Sequence, residues 1–202
     1  MGYLLIFSAI IDKINQFEAR KKISGAAIFF RDITQKEDKM LKGNESLVDS
    51  LLFAFGMEKG SKDFYTKAAE KVDDPKSREI FLAMAEVEGG HMANIRLLYC
   101  GMDNEACPIS MEEFAEAAQG PYIEGGKLLE NALRELDVAF LDQTDALKVA
   151  IRQEGDAYAF YTKAAKRMED SYARVLFENL AHEEKKHLEQ LTETLKRSGA
   201  EA

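Results

Sequence analysis

The sequence predicts an all-α fold, a four-helix bundle made of two duplicated helix pairs joined by a long crossover, and three observations predict it. Residues 49–91 align without a gap on residues 145–187 at a constant offset of 96, and 16 of those 43 positions are identical where chance gives about three. The run from Phe64 to Ala69 returns unbroken from Phe160 to Ala165. Each copy contains two stretches of helical apolar period separated by a short break, at 73–75 and at 169–171. The connection between the copies, about residues 100–141, is too long for a tight antiparallel turn, so the second and third long helices are expected to run parallel.

Each element has its own start and stop signals. The four long helices are expected over 46–72, 75–99, 142–168 and 171–197. Ser46 with Asp49, and Asp142 with Asp145, place an N-cap side chain before each first helix and negative charge in its first turn. Pro75 suits the first turn of the second helix, where its missing N–H costs nothing. Gly101 and Gly199 stand where C-caps are expected. Within the crossover, Ser110 and Glu113 form a capping-box pattern opening a short helix through Ala118, and Gly120-Pro121 stops it. An amphipathic stretch with Leu128, Leu129, Leu133 and Leu136 follows Gly126.

Composition narrows the function. The chain has 202 residues, 46% hydrophobic and 31% charged, enough for a real core. Twenty-seven Lys and Arg against 36 Asp and Glu give a net charge of -9, which repels nucleic acid and anionic membrane, so no such partner is expected. The apolar run from Tyr3 to Ile11 is about half a membrane span and lacks the flanks of a signal peptide. Three readings of residues 1–39 stay open: a helix packing on a partner, a membrane-surface anchor, or an extension upstream of a natural start at Met40. Nothing functional is placed there, and the bundle is assigned to residues 40–202. Cys100 and Cys107 are too few for a disulfide scaffold and not at C-x-x-C spacing. They are expected to be free, in a reducing cytoplasm.

The chemistry is carried by a constellation that recurs in register: Glu58, Glu88 and His91 in the first copy, Glu154, Glu184 and His187 in the second. Glu88-x-x-His91 and Glu184-x-x-His187 put a carboxylate and an imidazole on one helical face, in reach of one site. One Glu from each of two helices plus Glu-x-x-His from each of the other two is the pattern of dinuclear carboxylate bundles. A single Glu-x-x-His on a charged helix is usually a solvated face, but two of only three histidines carry it here. Four carboxylates facing a bundle interior would repel and lose hydration if left bare, and two divalent cations neutralise them. Bridged metals would lie about 3.5–4 Å apart. Oxygen-rich ligation with one imidazole per metal suits iron first and manganese second, not structural zinc. No catalytic group beyond these ligands is evident. His182, five residues before His187, is read as surface.

Tyr65 and Tyr161 each follow a first-helix glutamate by seven residues, two helical turns. A hydrogen bond to a ligand and plain core packing both fit them. Phe64, Phe160, Phe81 and Phe177 are read as packing, and Met57, Met84 and Met92 as core filler.

The duplicated Glu and Glu-x-x-His pattern, the two tyrosines and the crossover resemble the rubrerythrin branch of the ferritin-like superfamily over about residues 46–197. The resemblance implies two iron ions, with Glu88 and Glu184 bridging them and Glu58 with His91 and Glu154 with His187 completing the ligand shells. It also implies reduction of hydrogen peroxide at a diferrous site, or, in some members, oxidation and storage of Fe(II). Rubrerythrins proper carry a further carboxylate one turn after the third-helix glutamate, where this chain has Ala157, so their redox-linked exchange of ligands is not expected. The chain also has no rubredoxin domain with two Cys-x-x-Cys pairs, so a separate rubredoxin-like protein is expected to donate electrons. A homodimer is expected from the family.

The leading expectation is therefore a non-haem di-iron peroxidase. The alternatives are an iron-handling ferroxidase and a bundle in which the metals are only structural.

Overall fold

The computed structural model of the chain describes residues 41–100, 110–118, 120–137 and 142–199. Six α-helices lie among them: α1 (Leu47–Lys71), α2 (Pro75–Cys100), α3 (Met111–Ala117), α4 (Leu129–Asp137), α5 (Gln143–Arg167) and α6 (Ser171–Gly199), with a 3-10 turn at Glu124–Gly126 between α3 and α4. The long helices α1, α2, α5 and α6 are the two duplicated pairs, and the fold is the all-α, ferritin-like bundle expected. Among the described residues no helix is long and apolar enough to cross a membrane.

The local signals explain the boundaries. Ser46 caps α1 in a capping box with Asp49, and the Asp142 carboxylate accepts the Asp145 N–H at 2.9 Å to cap α5. Ser110 and Glu113 form the second capping box and open α3. Both hairpins close in the same way. Asp74 accepts the Ser77 N–H at 2.7 Å, and its repeat equivalent Asp170 accepts the N–H groups of Tyr172 and Ala173 at 2.8 and 3.0 Å. Arg78 and Arg174 each donate from Nη2, at 2.8 Å, to the carbonyl that ends the preceding helix, on Val72 and Met168. These two identities of the repeat, Asp74 with Asp170 and Arg78 with Arg174, serve the turns, not the site.

Contacts across the bundle fix the helix directions. Glu58 on α1 meets His91 on α2, while Arg78 at the start of α2 reaches the Ala69 carbonyl near the end of α1, so the pair is antiparallel. Tyr65 meets Glu154 and Tyr161 meets Glu58, so α1 and α5 are antiparallel as well. Hence α2 and α5 run parallel, as the crossover length requires.

The apolar core is divided in two. One cluster holds Leu51, Phe53, Phe55, Phe114, Tyr161 and Phe177; the other holds Phe64, Tyr65, Phe81, Ile123, Leu136 and Ala146. Along α1 the division falls between Met57 and Phe64, along α2 between Ala85 and Met92, and along α5 between Ala150 and Tyr161. Glu58, Glu88, His91 and Glu154 lie in these intervals, and Glu184 and His187 lie on α6 between Ala181 of the first cluster and Leu191 beside the second, so a polar layer interrupts the core at one level of the bundle. Met57, Met84 and Met92 are buried filler, and His182 is exposed, as expected.

Two expectations need correction. Cys100 is disulfide-bonded rather than free, and Cys107 lies outside the described residues. Gly199 is the last residue of α6 rather than a cap beyond it, because the final turn continues through Ser198, whose hydroxyl donates to the Leu195 carbonyl at 2.9 Å. Gly101 and residues 1–40, including Met40, also lie outside the described residues.

Candidate metal centre

The polar layer gathers all six side chains singled out by the repeat. Glu58, Glu88, Glu154 and Glu184 are each at most 1% exposed, and His91 is 6% exposed. Burial of four carboxylates together is unusual enough to require a cause, because each loses its hydration and repels the others. His91 Nδ1 lies 3.0 Å from Glu58, 3.4 Å from Glu88 and 3.5 Å from Glu184. His187 Nδ1 lies 3.3 Å from Glu154 and 3.4 Å from Glu184. The two imidazoles stack, with centroids 5.1 Å apart and planes at 17°.

The site carries the symmetry of the duplication. Tyr65 donates its hydroxyl to Glu154 Oε1 at 2.6 Å, and Tyr161 donates to Glu58 Oε1 at 2.8 Å. Each tyrosine thus serves the glutamate of the other repeat, not the one two turns earlier on its own helix. Each ring stacks on a phenylalanine of its own repeat, Tyr65 on Phe81 at 6.2 Å and Tyr161 on Phe177 at 5.9 Å. Burial first, and then the charge of nearby carboxylates, pushes both hydroxyls well above the ordinary tyrosine range, so both remain donors.

The electrostatics show what the protein lacks by itself. Burial, and then repulsion among neighbouring carboxylates, raises Glu88 and Glu184 well above the ordinary range. Burial also pushes Glu58 up, but the charge of His91 and hydrogen bonds with His91 and Tyr161 outweigh it and hold Glu58 low. For His91, burial pulls downward, and Glu58 overcomes it to raise the imidazole to about 9. Both oxygens of Glu88, Oε2 of Glu154 and Oε1 of Glu184 are buried with no hydrogen-bond partner. Orphaned buried carboxylate oxygens are costly, and they stand where cations would take them as ligands. A donor set of carboxylates with one imidazole per half fits two oxygen-preferring divalent ions.

One residue at the site was not in the sequence expectation. Glu124, in the 3-10 turn of the crossover, is 3% exposed, and an oxygen of it lies within 4.8 Å of oxygens of Glu58 and Glu184. Burial, then the charges of Glu58 and Glu154, raises its carboxyl well above the ordinary range. A search by internal repeat cannot find it, since the crossover has no second copy. The signal available was an acidic residue directly before Gly125-Gly126, in a segment that otherwise reads as a turn.

Four long helices converging on one buried layer of carboxylates and imidazoles define a ferritin-like bundle with a metal-binding interior. The family model for rubrerythrin matches residues 49–195. The chain belongs to the rubrerythrin family, whose members bind iron. A solved structure of a hypothetical protein from Pyrococcus furiosus is 24% identical, with 75% of this chain and 89% of that one covered and a TM-score of 0.45. No curated protein matches the chain. The position at which rubrerythrins proper carry the further carboxylate is filled by Ala157, buried at 1% exposure on α5.

Proposed function

We propose that this chain is a di-iron redox protein that reduces hydrogen peroxide, with Glu58, Glu88, His91, Glu154, Glu184 and His187 holding the two ions. The observation that carries the reading is the pairing of two symmetry-related donor sets, Glu58 and Glu88 around His91 and Glu154 and Glu184 around His187, with carboxylate oxygens that nothing in the protein satisfies. When bound, two ferrous ions supply the two electrons that, with two protons, convert one peroxide to two waters. Manganese is the second candidate for the same donors.

The residues of the chain prepare that chemistry. Tyr65 and Tyr161 hold Glu154 and Glu58 in place through charge-assisted hydrogen bonds and keep their own protons. The aromatic and aliphatic side chains above and below exclude water from the layer. His187 is the more open of the two imidazoles, its side chain 18% exposed against 8% for His91, so a small oxidant reaches the site from the second repeat's side.

Electrons come from a separate rubredoxin-like donor in this reading, and the working unit is a homodimer in the cytoplasm. A disulfide at Cys100 is uncommon in a reducing compartment. Thiol counting on protein quenched at lysis checks the compartment: two reactive thiols under denaturing conditions fit the cytoplasm, and none points elsewhere.

The activity is tested by loading the chain anaerobically with two Fe(II) and mixing it with one equivalent of peroxide or of dioxygen in a stopped-flow spectrometer. Oxidation is expected to be much faster with peroxide, and Glu184→Ala to abolish it. Fast dioxygen consumption with many Fe(II) oxidised per chain would instead establish a ferroxidase, and redox silence with a lowered melting temperature on metal removal a structural site.

A further inference from the structure

We infer that Glu124 is a further metal ligand, delivered by the crossover to the same centre, and this rests on the reading of that centre as a two-metal site. Its carboxylate is almost wholly buried, its Oε1 has no hydrogen-bond partner, and it is aimed at Glu58 and Glu184. A loop glutamate without that purpose would be expected to turn to solvent, because an ionised carboxylate buried without a partner costs several kcal/mol.

The loop is built to hold it there. Gly60 on α1 meets the backbone of Tyr122 so closely that a Cβ would stand 1.9 Å from the carbonyl oxygen. On the other flank Gly125, at φ +79°, presses on α5, where a Cβ would stand 2.8 Å from Cβ of Asp156. Gly60 and Asp156 are equivalent positions of the repeat, so the turn is wedged between matching points of α1 and α5. The next positions, Ser61 and Ala157, are also equivalent, and both are small and buried. Ser61 Oγ accepts the Glu124 N–H at 3.0 Å, fixing the residue at its backbone. The base of the turn is closed by Ile123 N–H to the Lys127 carbonyl at 2.9 Å and Leu129 N–H to the Pro121 carbonyl at 2.7 Å. A rigid backbone and an unpartnered carboxylate oxygen are what a preorganised ligand needs.

The consequence is a break in the twofold character of the centre. Glu58, Glu88, Glu124, Glu154 and Glu184 bring five negative charges, one more than two divalent ions neutralise, so Glu124 favours the trivalent pair over the divalent one.

The test uses the full chain and Co(II), whose visible absorption reports ligand type and number, in wild type and Glu124→Gln. The substitution keeps the shape and the backbone bond to Ser61. The metal-free variant should melt no lower than wild type, bind at least one of its two ions tenfold or more weakly, and show a changed Co(II) spectrum when saturated. Two ions bound with wild-type affinity and spectrum would overturn the inference. Should the variant melt lower without metal, the saturated spectrum decides: changed supports ligation, unchanged assigns Glu124 a structural role and overturns it. A wild-type chain that fails to bind two Co(II) would refute the two-metal reading itself, a separate result.

Discussion

The two halves of the duplication build equivalent donor sets from unequal surroundings. In α1, 16 of 25 residues are buried; in α5, only eight of 25 are. The crossover makes the difference. Phe114 of α3 packs edge-on against Phe55 with centroids 4.7 Å apart, and α4 also packs on α1, so α1 is enclosed on sides that α5 leaves to solvent. The residues that remain identical under these different environments include those of the centre, its tyrosines, the hairpin turns and packing positions such as Leu51 with Leu147 and Phe81 with Phe177, while other packing positions diverge with their burial. Phe55 faces Ile151 in the alignment, and Leu82 faces Glu178. The donor set is kept whole in both halves, while the packing around it is kept only in part.

Metal removal acts on both halves and should have the largest effect. At a free metal concentration about a thousand times Kd, each ion adds about 4 kcal/mol to stability, read as the rise in melting temperature on loading. Without metal, the raised groups set the pH dependence. Glu88, Glu124 and Glu184 sit above their usual 4.5 and His91 at about 9, so the stability they contribute is complete at low pH and is lost as pH rises through their folded values. Glu58 and Asp74, held low, contribute stability that is lost only as pH falls below their usual values. The metal-free chain should melt at progressively lower temperature from about pH 5 to 9, while metal affinity rises because the ligands must be deprotonated, so the gap between loaded and metal-free melting widens.

The unequal burial should appear next in size. Phe55→Ala is expected to cost about 3–5 kcal/mol and Ile151→Ala at its half-buried counterpart about 1–2 kcal/mol, by chemical denaturation. Equal losses would remove the asymmetry of the helices. Smaller and symmetric effects are expected at the tyrosines: Tyr65→Phe and Tyr161→Phe should each lose about 1–3 kcal/mol of metal-loaded stability, and both should slow peroxide reduction. A deficit confined to one would show that the centre is less symmetric than its hydrogen bonds. Smallest is Leu82→Glu, which gives an exposed residue the side chain of its counterpart Glu178 and should change stability by less than about 0.5 kcal/mol.

Much of this was legible in the sequence because the repeat tests itself. Glu58 and Glu154, with the two Glu-x-x-His pairs, stand out against a charged background only because they recur at one offset, and the four long helices fall within two residues of the expected spans. The tyrosines were legible as residues but not in their partners, since cross-repeat pairing depends on the antiparallel register of α1 and α5. Glu124 was legible only as an acidic residue before two glycines: it lies in the unduplicated crossover, and its place in the layer comes from Gly60, Ser61 and Gly125 converging in three dimensions. The disulfide at Cys100 escaped for a related reason, since spacing alone carries no geometry for a bond.

The buried layer is expected to hold two metal ions, one against each half of the duplication. Crystals grown with anaerobic Fe(II) and measured on both sides of the iron absorption edge test it most directly. Two anomalous peaks about 3.5–4 Å apart are expected, one against His91 and one against His187, with Glu88 and Glu184 between them. A single peak, or iron bound away from this layer, would contradict it.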